Sequence, residues 1–136
     1  TSMALEEHLL RLEGSLERDK IPVSKSEHLR LLIALHISEE ALGEDHRAVA
    51  GDLRKLASFL ALRGKDQLAE QLLWRARMIS LLNKVAGFDY PGIERDLLQV
   101  AEWLESRNQG ADRTVAFHMR KRVERLAEKR FSKSKR

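Results

Sequence analysis

Five histidines, His8, His28, His36, His46 and His118, are the residues of this chain best suited to holding a metal or moving a proton near neutral pH. A helical zinc site needs two of them four apart on one face. No pair has that spacing, and His28 and His36, eight apart, are too distant to share an ion. They read as structural. Asp and Glu are numerous, but no pair stands in an apolar setting that would tune a general acid. The serines lack a Gly-x-Ser-x-Gly elbow, and no glycine-rich loop could cradle a phosphate. With no cysteine there is no thiolate ligand, cysteine nucleophile or disulfide, which suits a reducing compartment. No enzyme, metal or cofactor is expected. Trp74, Phe59 and Trp103 could stack a ligand, yet at helical spacing beside leucines they read as packing.

What remains is charge. Lys and Arg number 25 against 21 acidic residues, for a net charge of +4. The excess is local. Residues 120–136 hold nine Lys or Arg against Glu124 and Glu128, so residues 1–119 are slightly negative. The cluster Arg120, Lys121, Arg122, Arg125, Lys129 and Arg130, with Lys133, Lys135 and Arg136 beyond it, offers an alternative basic patch for phosphate backbone, anionic lipid or a nuclear-import receptor. The leading reading is plainer: a polar helix that caps the fold and complements its own macrodipole, followed by a basic tail at 132–136.

The elements behind these residues are helical. In 136 residues there are 23 Leu and 14 Ala, but only seven Gly, two Pro and two Thr. That composition favours helix over sandwich or barrel, and the length fits one domain with a real core. Apolar runs such as 31–35 are far below the ~20 residues that span a bilayer. Thr1-Ser2-Met3 reads as an added leader before a native methionine.

The helices repeat. Val49, Leu53, Leu56, Ala57 and Leu60 form one helical stripe. Adding 44 gives Ile93, Leu97, Val100, Ala101 and Leu104; subtracting 44 gives Leu5, Leu9, Leu12, Glu13 and Leu16. Fourteen of the fifteen positions are apolar. Gly43 matches Gly87, Asp45 matches Asp89, and Phe59 matches Trp103. Each such helix, A, is followed by a second, B. The first B helix starts at a Ser24-to-Glu27 capping box and runs to about 42, with Leu29, Leu32, Ile33, His36 or Ile37, and Ala41 inward. The next spans about 65–82 after Gly64, with Leu68, Ala69, Leu72, Leu73, Ala76 and Ile79 inward. The last follows Gly110, with Asp112 as N-cap and Val115, Ala116, Met119, Val123 and Leu126 inward. Pro91 fits the first turn of the third A helix.

The run Leu42-Gly43-Glu44-Asp45-His46, then Val49-Ala50, Leu53, Leu56-Ala57, Gly64, Ala69-Glu70 and Arg75-Ala76 resembles the tetratricopeptide repeat in its longer, kinesin-light-chain-like form. The third repeat keeps Gly87, Asp89, Pro91, Ile93 and Ala101 but carries about three extra residues before its B helix. The resemblance implies an all-α, short right-handed α-solenoid of three antiparallel helix pairs. These repeats would lie at about 4–42, 45–83 and 89–130, within a domain of 1–131. HEAT-type repeats have a similar period and are the architectural rival. Stacked hairpins of either kind bury each other's apolar flanks and leave a concave surface of A helices for a partner.

In the 44-residue register, the partner-binding positions are Arg54 and Lys55, with Arg95, Leu98 and Gln99. Kinesin-light-chain-like repeats often carry paired asparagines where this chain has Arg54-Lys55 and Leu98-Gln99. Arg54, Lys55 and Arg95 would instead attract an acidic peptide or a terminal carboxylate, and Leu98 with Leu10 would add an apolar floor. The expected function is a scaffold or adaptor module that binds another protein or peptide in the cytoplasm. Self-association through poorly capped terminal hairpins, and nucleic-acid binding through the basic cluster in the nucleus, are the alternatives.

Overall fold

The computed structural model describes residues 23–134. The described chain is all α-helix, with five helices: α1 (Val23–Leu42), α2 (Arg47–Leu62), α3 (Asp66–Val85), α4 (Ile93–Arg107) and α5 (Asp112–Ser134). The A helix expected around Leu5, Leu9, Leu12 and Leu16 lies outside the described residues. Contacts divide the chain into two compact units, one ending at Ser80 and one starting at Leu81, so the division falls within α3.

In the first unit α1 packs on α2. The two run antiparallel: Ser38 near the end of α1 donates to Asp52 early in α2, while the His28 ring lies 5.3 Å from that of Phe59. The expected α2 stripe, Val49, Leu53, Leu56, Ala57 and Leu60, is fully buried, joined by Ala50 and Phe59. Each leucine so placed contributes about 1.5–3 kcal/mol of transfer free energy. Upstream, His46 takes the N-cap position, its Nδ1 accepting from the Ala48 amide at 3.1 Å. Downstream, Gly64 at φ +77° lets the Gly64 and Lys65 amides turn back onto the Ala61 and Leu60 carbonyls, which closes the helix end. Arg75 pairs with Glu39 at 3.4 Å and ties α3 to α1.

Two stripes differ from expectation. On α1, Leu29, Leu32, Leu35 and Glu39 are buried, whereas Ile37 and Ala41 face out. On α3, Ala69, Ala76 and Ile79 are buried, but Leu68 and Leu73 are exposed, and Met78 and Val85 are buried on a second side. Buried positions on two faces of one helix defeat a single-stripe reading.

In the second unit α4 packs on α5. Arg130 reaches Glu94 at 2.7 Å and Arg120 reaches Glu105, so opposite ends meet and the pair is antiparallel. Ile93, Leu97, Val100, Ala101 and Leu104 are all buried. On α5 only Ala116 of the expected stripe is fully buried; Met119, Val123 and Leu126 are half-buried and Val115 is exposed. Two local expectations are corrected here, for Pro91 and Asp112, and one sequence match proves to differ in backbone. Pro91 sits in the turn before α4 rather than in its first turn, and Gly92 at φ +86° precedes the helix. Gly87 has no positive φ, although its counterpart Gly43 has φ +94°, so the two glycines serve different backbones. Asp112 is the first residue of α5 and its carboxylate points back, accepting from the Gln109 amide at 3.0 Å. Helix α5 continues through residues 132–134.

Candidate partner-binding surface

Arg54 and Lys55 lie on the exposed side of α2, because they fall between the buried Leu53 and Leu56 on a helix with one inward stripe. Arg54 is already engaged, its Nη2 donating to Ser80 Oγ at 2.7 Å. That bond fixes its guanidinium near α3 while leaving donors for an incoming carboxylate. On α4, Arg95 is exposed, Leu98 is 39 % exposed and Gln99 is half-buried. Leu98 is thus an apolar group open to water immediately beside the sealed Leu97. Leu10, its expected companion, lies outside the described residues.

The alternative basic patch is only partly available. Arg120 forks onto Glu105, Nε to Oε2 at 3.0 Å, and this pairing holds the Glu105 carboxyl below its usual range and raises the guanidinium further. Arg122 donates to the carbonyls of Val85 and Gly87 and to the Asp89 carboxylate. Arg130 is held by Glu94, and Lys121 lies 3.4 Å from Glu124 on the same helix. Arg125, Lys129 and Lys133 remain exposed, with no ionic partner among the described residues. Of the described cations in the cluster, Arg120, Lys121, Arg122 and Arg130 are thus paired within the fold, and Arg125, Lys129 and Lys133 are left exposed.

Aromatic residues are used locally. The Arg63 guanidinium covers the Phe59 ring at 4.7 Å, and the Arg107 guanidinium covers the Trp103 ring at 4.4 Å. Tyr90 donates to Asp96 Oδ2 at 2.7 Å, with the Lys84 ammonium 4.4 Å above its ring; burial and the Asp96 carboxylate push its hydroxyl up to about 12. Trp74 is half exposed on α3, with Arg77 beside it. The histidines are dispersed: His46 caps α2, His28 lies against Phe59, and His118 lies edge-on to Phe117. Among the described residues no three His, Asp or Glu side chains group closely enough to hold a metal, and no helix is long and apolar enough to cross a membrane.

One residue escaped the sequence reading. Phe88, in the loop between α3 and α4, is 96 % exposed. It belongs to no helical stripe, and only its position between Gly87 and Asp89 marked it as a loop aromatic.

No protein-family model matches the chain, and neither a curated protein nor a solved structure is significantly similar to it.

Proposed function

We propose that this chain is a tetratricopeptide-like helical-repeat module, a short right-handed solenoid that binds a partner peptide or helix on the exposed sides of its A helices. The observation that carries the reading is the agreement of α2 and α4 position by position at a spacing of 44. All five stripe residues are buried in both helices. The equivalence runs on past the stripe: Phe59 under Arg63 matches Trp103 under Arg107, and the left-handed Gly64 matches the left-handed Asn108 at φ +47°. Within the reading, Arg54 and Lys55 bind acidic groups of the partner, while Arg95, Leu98 and Gln99 offer a mixed apolar and polar contact on α4.

Immobilised protein, in wild-type and Arg54→Ala/Lys55→Ala forms, tests the assignment against any captured partner. A drop in affinity of about tenfold or more, at unchanged thermal stability, is expected from losing two cationic contacts. Unchanged affinity removes Arg54 and Lys55 from the site. Replacing Arg125 and Lys129 by Ala separates this reading from phosphate-backbone binding through α5, which that variant would weaken while partner binding on α2 would not change.

A further inference from the structure

Phe88 is the most exposed large apolar side chain among the described residues. Its loop is nevertheless fastened. The Arg122 guanidinium donates to the Gly87 carbonyl at 3.4 Å and to Asp89 Oδ1 at 2.5 Å, so both neighbours of Phe88 are tied to one cation on α5. A ring left in water on a pinned loop has little backbone freedom still to lose when it enters an apolar medium. The next residue, Asp89, borders a cationic cleft. Asp89 lines it together with Arg125, Leu126, Lys129 and Lys133. Arg125, Lys129 and Lys133 recur every fourth residue and so share a flank of α5. Glu128 also borders this cleft, and Asp89 is already neutralised by Arg122, so positive charge prevails. Lys135 and Arg136 continue the run in sequence.

We propose that this end of the second unit is a peripheral membrane contact: Phe88 enters the interfacial layer of an anionic bilayer, and Arg125, Lys129 and Lys133 take the phosphate-bearing headgroups of acidic lipids. This goes beyond the partner-binding reading and does not depend on it. A basic run of four to eight residues next to an insertable aromatic fits a negatively charged leaflet in both sign and depth. A single-stranded nucleic acid would want successive aromatic platforms among the cations, and neither Phe88 nor Phe131 lines the cleft.

Co-sedimentation of the full chain with vesicles tests it. One set is phosphatidylcholine alone; the other is seven parts phosphatidylcholine to three parts phosphatidylserine. Binding is expected only to the anionic vesicles and only at low salt. Phe88→Ser should weaken it about tenfold without lowering the melting temperature, since the ring buries nothing in the fold. Reversing Arg125, Lys129 and Lys133 to Glu should weaken it about a hundredfold or more. Equal binding to both vesicle sets, no binding to either, or an unaffected Phe88→Ser variant overturns the proposal. So does a single-stranded oligonucleotide that binds more tightly than the anionic vesicles with the same dependence on Phe88.

Discussion

Arg107, the last residue of α4, grips Asp112, the first residue of α5, with Nε donating to Oδ2 at 2.8 Å and Nη2 to Oδ1 at 2.9 Å. The same guanidinium lies over Trp103, and the same carboxylate receives the Gln109 amide. One buried carboxylate therefore fixes the four-residue turn that folds α5 back onto α4.

Breaking this pair should be costly. Asp112→Ala leaves the Arg107 guanidinium and the Gln109 amide without their acceptor, a loss of about 2–3 kcal/mol at neutral pH. Urea unfolding reads it directly, and a loss under about 0.5 kcal/mol would show the turn is fixed by other means.

The same pair makes stability depend on pH. The Arg107 hydrogen bonds, outweighing burial, hold the Asp112 carboxyl below its ordinary value, about 3.9 in an unfolded chain. The folded state thus binds its proton less readily than the unfolded one. The contribution is complete above about pH 4 and disappears as pH falls through the lower, folded value. Wild type and Asp112→Asn should differ clearly at pH 7 and converge toward pH 2. A gap that stays constant across that range would contradict the assignment.

Arg122 should stiffen the loop that carries Phe88. Arg122→Gln removes a guanidinium held by two carbonyls and a carboxylate, and is expected to cost about 1–2 kcal/mol. Amide exchange in the 86–90 segment should quicken at least tenfold. Lys121→Gln, which loses only an exposed pair on its own helix, should change stability by less than about 0.5 kcal/mol. Equal effects from the two substitutions would mean the clamp contributes no more than a surface charge.

Two adjacent leucines separate core from surface on α4. Leu97→Ala should cost about 2–5 kcal/mol, because Leu97 is fully enclosed. Leu98→Ala should cost well under 1 kcal/mol while weakening any partner that binds α4. Comparable losses from both would place Leu98 in the core and remove it from the surface.

The sequence made the stripes of α2 and α4 readable, since leucine, valine and alanine at helical spacing leave few ways to turn a helix. The helix end at Gly64 was readable, because glycine adopts a left-handed conformation cheaply. Buried positions off the single stripe were not. Met78 and Val85 are buried off the α3 stripe, and Leu68 and Leu73 are exposed on it, because local periodicity reports one face at a time. The fate of the basic cluster was also hidden. Arg120, Arg122 and Arg130 find partners 15 to 37 residues away, a distance in sequence that no helical spacing encodes. Phe88 escaped for the opposite reason: a single aromatic in a loop has no period at all.

The central claim, that successive helix pairs are interchangeable copies, is tested most directly by lengthening the chain. A second copy of residues 49–92 inserted after Gly92 keeps the 44-residue register and adds one repeat and one interface between repeats. In a stack of like units that addition raises stability. The lengthened protein should keep its helix content per residue by circular dichroism and unfold in one transition at a higher urea midpoint than the parent. A lower midpoint, or lost helicity, would show that α2 and α4 resemble each other without being parts of one repeating array.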